Sequence, residues 1–455
     1  MAQWQCNCRS TDLRIVERAT RPCQHSVYLT PFLLLFLLYS IQIIPFILLH
    51  LIHHLCTVMR VFNFLALLPV VLANPLTQTK RTTACNNSPD LCSKSYGEIT
   101  HLGAHDSPFV RDGDSGNSIA ANQYYDTPTQ LSAGVRLVTA QVHKSNSQWR
   151  LCHSSCDLLD AGLLSDWLKD IKTWLDDNPN EGELVPRGQI RKEINTPTKI
   201  VVTILLVNSD GATASELNTE FTTAKITDYA YEPTSPGTAP TTWPTLQSMI
   251  DDGKRLVVFV ASLETSTSYP YLLDEWSYVW ENPYDVTSAS NFTCEPDRPS
   301  TYKGNSASAL AANLLPLMNH FLYSSNLAIL DVQYPNSSYV GTTNAASGGT
   351  GNLGTAATNC KKAWNGRQPT YIMVDFFNRG PAIDTVDNLN NVTNPVGRKS
   401  VSTSDATSDA SSTSNVFKAL VELAESARSG TSVSMGNWIW TGGNWGNLLG
   451  GGISF

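Results

Sequence analysis

From about residue 95 onward, short apolar runs of strand length alternate with segments that have helical periodicity. Several of the runs are apolar at nearly every position, as expected of strands that are buried on both faces of a parallel sheet. The alternation therefore predicts an α/β fold in which helices pack around a parallel sheet. The predicted strands are 97–103, 135–142, 200–207, 255–261, 326–332 and 370–376. The predicted helices are 307–323 and 162–177, and the second has an apolar face made of Leu164, Trp167, Leu168, Ile171 and Leu175.

The size and charge of the chain narrow its possible functions. With 455 residues, of which 42% are hydrophobic, it can bury the core of one large barrel or of two smaller domains. Its formal net charge of −8 leaves no basic stripe that could neutralise phosphates, so we expect no nucleic-acid partner.

The N-terminal region contains two hydrophobic stretches that support different interpretations. Residues 31–52 carry no charge and are long enough to span a bilayer, and the arginines before them favour a signal-anchor. Residues 59–73 instead have the basic start, apolar stretch and small residues of a secretory signal, with cleavage expected after Ala73. We favour the second interpretation, in which residues 1–58 are a mispredicted upstream extension. Both interpretations predict that most of the chain lies outside the cytosol.

Cysteines and glycosylation sequons agree with an extracellular location. Six cysteines follow Met59, and an even number in an oxidising compartment predicts three disulfides. Pairing the nearest neighbours gives Cys85–Cys92 and Cys152–Cys156 and leaves Cys294–Cys360. A zinc site at Cys152, His153 and Cys156 is a weaker alternative, because no second cluster has suitable spacing. Sequons predict N-glycosylation on surface loops at Asn86, Asn291, Asn336 and Asn391.

Polar segments interrupt and follow the predicted α/β domain, which we place at residues 80–390. Residues 182–199 are polar, basic and longer than the usual connection between a helix and a strand, so we interpret them as a surface insertion or a retained intron. Residues 391–455 hold a Ser/Thr-rich linker and a Gly- and Trp-rich tail, with a short helix predicted at 416–427.

The first candidate for chemistry is the pair His105 and Asp106, which follows the first predicted strand. Active-site loops of a barrel lie at the carboxyl ends of its strands, and a histidine beside a carboxylate there can act as an acid–base group with its orienting partner. The alternative is a turn in which Asp106 and Ser107 cap a helix.

Two further positions have residue types that suit the same chemistry. A Cys152–Cys156 bridge would close a tight loop and fix His153, although a loop histidine without a function fits the same pattern. Asp375 ends a buried strand, and a histidine at the barrel mouth would be a natural partner because an unpaired buried carboxylate is costly. The alternative is that Asp375 caps the next turn.

These motifs occur in one order along the chain: LGAHDS, QLSAGVRL, LCHSSC, WLDDNPNE and MVDFFNRG. Over residues 80–385, the order resembles the X-domain of phosphatidylinositol-specific phospholipases C. The sequence is most similar to the fungal secreted branch of PLC-like phosphodiesterases, which shares the segments WPTLQ (243–247), YLLDEW (271–276) and CEPDRP (294–299). The resemblance implies a TIM-type (β/α) barrel with a single catalytic domain.

The resemblance also implies a reaction and the residues that perform it. His105 matches the general base that takes a proton from the inositol 2-hydroxyl, and His153 matches the general acid that protonates the leaving diacylglycerol oxygen. Asp106 matches the carboxylate that pairs with the acid, and Asp375 matches the one that orients the base. Histidines titrate near neutral pH, so one can start neutral and the other charged. No metal or other cofactor is implied.

The second predicted strand lacks the charged residues of the related enzymes. Gln141 occupies the place of the arginine with which metal-free bacterial relatives neutralise the phosphate. Thr139 and Gln141 occupy the places of carboxylates in calcium-dependent animal relatives. The candidate substrate-binding residues are therefore Gln141, Arg136 and Lys144, although Arg136 lies early on the strand, where a structural role also fits.

The sequence thus predicts a secreted phosphoric diester hydrolase that acts, without a metal, on an inositol phospholipid or a related phosphodiester. We expect a monomer that contacts the membrane surface transiently. The alternative is a catalytically impaired barrel that binds phospholipid head groups or cell-wall glycans, because loss of a fixed positive charge weakens transition-state stabilisation in phosphoryl transfer. We favour catalysis, since four positions of catalytic type occur together.

Overall fold

The computed structural model describes residues 84–178, 198–324 and 333–404. The chain divides into two units, Met1–Thr79 and Lys80–Phe455, and all the described residues lie in the second. The strands in these residues are β1 (Ala84–Cys85), β2 (His101–Ala104), β3 (Leu137–Ser145), β4 (Gln148–Cys152), β5 (Asp160–Leu163), β6 (Thr198–Lys199), β7 (Val202–Asn208), β8 (Leu256–Val260), β9 (Leu272–Asp274), β10 (Val279–Glu281), β11 (Leu315–Asn319), β12 (Tyr323–Ser324), β13 (Tyr334–Pro335) and β14 (Tyr371–Val374). The α-helices are α1 (Thr127–Ala133), α2 (Leu164–Asp177), α3 (Ala214–Thr223), α4 (Leu246–Asp251), α5 (Ser306–Ala311), α6 (Val340–Thr343), α7 (Leu353–Ala363) and α8 (Ala382–Leu389).

Eight parallel strands form the main sheet in the order β10-β11-β14-β2-β3-β7-β8-β9. Because β14, the last of the eight in the chain, pairs with β2, the first, the sheet curls back on itself as a barrel. Within the described residues no ladder joins β9 to β10, and Glu281 of β10 instead pairs with Arg298 in a single antiparallel bridge. The predicted TIM-type (β/α) barrel is therefore confirmed, with one seam open between β9 and β10.

Alternate side chains of the barrel strands enter two separate cores. In β8, Leu256, Val258 and Val260 pack with the surrounding helices, whereas Val257 and Phe259 belong to the barrel interior. All five side chains are fully buried, which explains why this strand is apolar without interruption. On the outside, α2 buries all the residues predicted for its apolar face.

Most predicted strands match the structure, but the region of the seventh barrel strand does not. The predictions at 97–103, 135–142, 200–207, 255–261 and 370–376 overlap β2, β3, β7, β8 and β14. The predicted helix 307–323 is confirmed at its start and wrong beyond it, because α5 ends at Ala311 and β11 follows. Asn313 has a left-handed backbone (φ 61°), which is typical of a helix end, and the buried run after it has strand length. The predicted strand 326–332 lies outside the described residues.

Three disulfides form at the predicted pairings: Cys85–Cys92, Cys152–Cys156 and Cys294–Cys360. The first two close short loops, and the third joins the segment after β10 to α7. Because the sulfur atoms of Cys152 and Cys156 are bonded to each other, the alternative zinc site is wrong.

Several predicted segments fall outside the described residues. These are 31–52, 59–73, the helix at 416–427 and the tail, so the domain boundaries stay a prediction. The segment 182–199 is described only at Thr198–Lys199, where β6 pairs with β1. Among the described helices, none combines the length and the apolar character that a membrane crossing requires.

One of the four predicted glycosylation sites is wrong. Asn86 is 5% exposed, its Oδ1 accepts a hydrogen bond from the Val201 N–H at 2.8 Å, and its Nδ2 is buried. A glycan on that nitrogen would have no path to solvent in the folded protein. Asn291 and Asn391 are exposed and Asn336 is half-buried, so glycosylation at these three sites stays a prediction.

Candidate active site

The turn after β2 places two of the predicted catalytic residues at the carboxyl end of the barrel. His105 and Asp106 follow the strand directly, and both side chains are buried. Asp106 has a left-handed backbone (φ 49°), which aspartate tolerates better than most residues. The N–H of Asp106 donates to Thr139 Oγ1 at 2.8 Å, and the N–H of Ser107 donates to the Thr139 carbonyl at 2.8 Å. Thr139 therefore ties this turn to β3.

His105 pairs with the carboxylate that follows the last barrel strand. Its Nδ1 lies 2.9 Å from Oδ1 of Asp375, which is 3% exposed. Phe321 stacks on the imidazole, with ring centroids 3.7 Å apart and 2° between the ring planes. The carboxylate fixes Nδ1 and the stack fixes the plane of the ring, so Nε2 is the nitrogen left to react.

A hairpin brings His153 back to the same end of the barrel. β3 pairs antiparallel with β4, and His153 follows β4 directly. The Cys152–Cys156 disulfide closes the turn around it, and the N–H of His153 donates to the Leu159 carbonyl at 2.9 Å. The imidazole is buried and meets the ring of Phe109 edge-on at 5.3 Å. The hairpin and the disulfide therefore restrict the position of His153.

Asp106 lies between the two imidazoles. Its Oδ2 is 3.6 Å from Nε2 of His105 and 3.5 Å from Nε2 of His153. Since both rings reach the same oxygen, their Nε2 atoms are separated by no more than about twice that distance, which allows them to act on one substrate group. The structure thus brings all four predicted catalytic side chains together, but Asp106 is shared by the histidines rather than paired with His153 alone.

Gln141 lies on β3 beside Asp106. Its Nε2 donates to Asp106 Oδ2 at 2.7 Å, and its Oε1 accepts from the backbone N–H of Ser154 at 2.9 Å. The Ser154 N–H can only donate, so it determines which end of the amide faces the carboxylate. Gln141 therefore connects Asp106 to the turn that holds His153.

The two histidines differ in pKa because their surroundings differ. Burial lowers the pKa of His105, but the charges of Asp106 and Asp375 outweigh burial, and the pKa is raised overall. Burial dominates for His153, whose pKa is lowered although Asp106 attracts a proton to it, and His105 adds repulsion. A single proton shared by the pair therefore resides mainly on His105 in the free site.

The cationic residues predicted to bind substrate are engaged elsewhere. The prediction for Arg136 is wrong, because it precedes β3 at the opposite end of the barrel, where its guanidinium donates to Asn87 and to two backbone carbonyls. Lys144 forms an ion pair with Glu216 at 2.9 Å and lies over the ring of Trp149. Neither side chain supplies a free positive charge to the histidines.

Four groups at the site were not predicted from the sequence: Asn122, Phe321, Tyr323 and Glu281. Asn122 Nδ2 lies 3.0 Å from Asp375 Oδ1. The ring of Tyr323 is 6.5 Å from that of His105, and its phenol pKa is raised well above its usual range, mainly by burial. Asn122 lies in a loop with no local motif, and Phe321 and Tyr323 fall in the segment predicted to be a helix.

One cluster in the described part of the chain has three metal-ligating side chains close enough to hold an ion: Cys152, Cys156 and Asp160. Both of its sulfur atoms are in the disulfide, so it cannot provide a thiolate site.

Comparison with known proteins agrees with the fold and the order of the motifs. The PI-PLC X 1 family model matches residues 91–185 and 187–390. The chain belongs to this family. PI-PLC X domain-containing protein 1 of Arthroderma benhamiae is 34% identical over 327 residues, which cover 71% of this chain and 95% of that relative.

Two further proteins are similar to the chain to different degrees. An "Uncharacterized secreted protein" of Arthroderma benhamiae is 36% identical over 321 residues, 70% of this chain, but the chain spans just under two thirds (66%) of that protein's length. The phosphatidylinositol-specific phospholipase C from Listeria monocytogenes is 16% identical, with a TM-score of 0.41, over 69% of this chain and 98% of that one.

Proposed function

We propose that this protein is a phosphoric diester hydrolase that acts on an inositol phospholipid or a related phosphodiester, with His105 and His153 as a metal-independent acid–base pair. The observation that carries the proposal is the approach of both Nε2 atoms to one oxygen of Asp106. Membership of the PI-PLC X family supports the reaction class. The short contact between Asp375 and His105 supports their roles as orienting carboxylate and base.

The proposed reaction has two steps. First, Nε2 of His105 takes the proton of the inositol 2-hydroxyl, and that oxygen forms a bond to phosphorus. The bond from phosphorus to the diacylglycerol oxygen breaks, and His153 donates its proton to the departing oxygen. In the second step the histidines exchange roles, and water adds to phosphorus and opens the cyclic phosphate.

The proposed roles require a redistribution of charge when substrate binds. The reaction starts from a neutral His105 and a protonated His153, whereas the free site favours a proton on His105. An anionic phosphodiester beside His153 would raise the pKa of His153, because a nearby opposite charge favours the protonated imidazole. We propose that substrate binding moves the shared proton to His153.

The test is product release from labelled phosphatidylinositol, measured with and without a chelator. We expect release in both conditions, and we expect His105→Ala and His153→Ala each to abolish it. His320→Gln is a matched control, because His320 is a fully buried histidine whose Nε2 bonds only to the backbone carbonyls of Thr343 and Gly351. Equal trace release by the wild type and both active-site variants would contradict the proposal.

A second candidate function is binding of phospholipid head groups or cell-wall glycans with little turnover. The observation that favours it is the charge of the site: Asp106 and Asp375 are both buried there, and the strand position expected to carry an arginine holds Gln141. A phosphodiester is anionic, so the lack of a cation at this strand position weakens stabilisation of its transition state. Retention of the protein on vesicles that contain phosphatidylinositol, without product, would support this function.

We also propose that the protein is secreted and contacts membranes only transiently. The three disulfides and the printed name of the Arthroderma benhamiae relative support an extracellular location. N-terminal sequencing of protein from culture medium should find a chain that begins after Ala73. Recovery only from membranes, with residues 31–52 retained, would instead support the signal-anchor.

A further inference from the structure

Asn122 lies where the two strands that supply His105 and Asp375 come together. It is fully buried in the loop between β2 and α1. Its backbone N–H donates to the Phe109 carbonyl at 3.0 Å, and its carbonyl accepts from the Phe376 N–H at 2.8 Å. These two bonds fix the backbone of Asn122 relative to both strand ends, so its side chain has a defined position beside the pair.

The nitrogen of the Asn122 amide faces the pair. Nδ2 lies 3.0 Å from Oδ1 of Asp375 and 3.2 Å from Nδ1 of His105. The reverse orientation would bring the amide oxygen against a carboxylate oxygen, and neither of these atoms has a hydrogen to donate. The amide oxygen is instead buried without a hydrogen-bond partner, which is costly. The carboxylate therefore determines the orientation of this amide.

Two donors consequently converge on one oxygen of Asp375, the Nδ1–H of His105 and the amide of Asn122, while Oδ2 accepts no hydrogen bond. The second donor stabilises the carboxylate charge and so weakens its attraction for the protonated imidazole. The positive end of the amide dipole also lies close to the ring. Both effects oppose protonation of Nε2, while the contact with Asp375 keeps the hydrogen on Nδ1.

We propose that Asn122 is a positioning residue for the base: it holds the carboxylate that orients His105 and limits the basicity of the His105 Nε2. Its catalytic meaning rests on the proposed function, but its effect on the imidazole exists in the free protein. The other titratable groups that face His105 are Asp106 on its own turn, Asp375 after β14, Glu281 on β10, His153 after β4 and Tyr323 in β12. Substitution of Asn122 removes none of these groups.

The test is an NMR titration of the full-length, histidine-labelled protein without substrate. We expect Asn122→Ala to raise the pKa of His105, because Asp375 loses its second donor. A merely structural role predicts the opposite sign, since a loosened carboxylate would bind the imidazolium less well. If Asn122→Ala fails to fold, Asn122→Asp keeps the shape, and its added carboxyl group should also raise the pKa of His105.

Asn344→Ala is the matched control. Asn344 is an equally buried asparagine, but its amide donates to the backbone carbonyls of Asp375 and Phe376 and not to the carboxylate. We expect it to lower the thermal midpoint without moving the His105 pKa. An unchanged or lowered His105 pKa in the Asn122 variants, or an equal shift in Asn344→Ala, would overturn the proposal.

Measurements of kcat/KM then distinguish failure of this inference from failure of the proposed function. If the wild type hydrolyses phosphatidylinositol, Asn122→Ala should lower the plateau of kcat/KM and move its basic limb to higher pH, because less of the enzyme has His105 neutral and His153 protonated. If the wild type releases no product, the proposed function fails, whereas the NMR shift still decides the role of Asn122.

Discussion

Gln141 is a neutral side chain that contacts both the shared carboxylate of Asp106 and the turn that holds His153. Its amide donates to the oxygen of Asp106 that both histidines approach, and its oxygen is held by the Ser154 N–H. An arginine at this place would pair with Asp106 and cancel part of the charge that the histidines experience. Since one end of the amide is held by the His153 turn and the other by Asp106, Gln141 fits a role in aligning the site better than a role in binding substrate.

We expect Gln141→Glu to be more harmful than Gln141→Ala. A glutamate would place a second carboxylate against Asp106, and the two negative charges would repel each other. Alanine only removes hydrogen bonds, and those to a charged group are worth about 1.5–3 kcal/mol. That energy corresponds to a loss of about 10- to 100-fold in kcat for the alanine variant. Steady-state hydrolysis of phosphatidylinositol provides the measurement, and equal rates for the two variants would contradict this role.

The pKa directions of the two histidines predict the pH profile of kcat/KM. The lowered pKa of His153 places the acid limb below the usual histidine value, and the raised pKa of His105 places the basic limb above it. Asp375→Asn removes a charge that raises the pKa of His105, so the basic limb should move to lower pH. The profiles of both proteins should be recorded at one ionic strength. A basic limb that stays in place would show that His105 does not determine it.

At the scale of elements, the hairpin formed by β3 and β4 carries the proposed acid, His153. β3 continues beyond the barrel and β4 returns antiparallel to it, so His153 follows the end of β4 rather than the end of a barrel strand. The Cys152–Cys156 bridge then closes a loop of only a few residues around His153. In the chain-entropy account, so short a loop contributes only about 2 kcal/mol to stability. Its larger effect should be on geometry.

Removal of this disulfide should therefore reduce activity more than stability. We expect Cys152→Ser/Cys156→Ser to lower kcat by up to about 100-fold, because a displacement of the acid by about 1 Å is that costly. Cys85→Ser/Cys92→Ser is the matched control, since that bridge also closes a short loop but lies outside the site. It should lower the thermal midpoint with little change in kcat. Similar kcat losses in both variants would refute a special role for the His153 loop.

At the scale of the whole molecule, the open seam of the barrel contains a buried acidic pair. Glu275 and Glu281 are 1% and 2% exposed, and Arg298 forms an ion pair with Glu281 at 2.5 Å. Burial raises the pKa of Glu275 well above its usual range, and the charge of Glu281 adds to this, whereas the pKa of Glu281 is lowered because Arg298 and its hydrogen bonds outweigh burial. The opposite pKa directions favour a protonated Glu275 beside an ionised Glu281.

Glu275→Gln should stabilise the protein at neutral pH. A group whose pKa is raised by folding is bound to a proton in the folded state and ionised in the unfolded state, so stability falls as pH rises above the unfolded value. Glutamine carries no such cost. We expect a higher thermal midpoint at pH 7 and little difference at pH 4, measured by thermal unfolding across that range. A gain that is the same at both values would mean that ionisation of Glu275 is not its cause.

The sequence predicts the barrel and its four catalytic-type residues because these signals are local. His105, His153 and Asp375 each lie next to a strand end or a disulfide, and apolar runs mark most of the strands. Asn122 and Glu281 were not predicted, since their importance depends on which strands become neighbours in three dimensions. β11 was missed because a short buried run fits a helix as well as a strand. Arg136 lies early on its predicted strand, and this position already favoured a structural role over substrate binding.

The pairing of β14 with β2 also determines when the proposed acid–base site is completed during synthesis. His105 and Asp375 are 270 residues apart in the chain. A ribosome has completed most of the barrel before the base acquires its orienting carboxylate, and the partly made product holds an imidazole that lacks its partner. If the proposed function and export hold, the cell is thus spared a lipid-cleaving nascent chain until the last strand has left the exit tunnel.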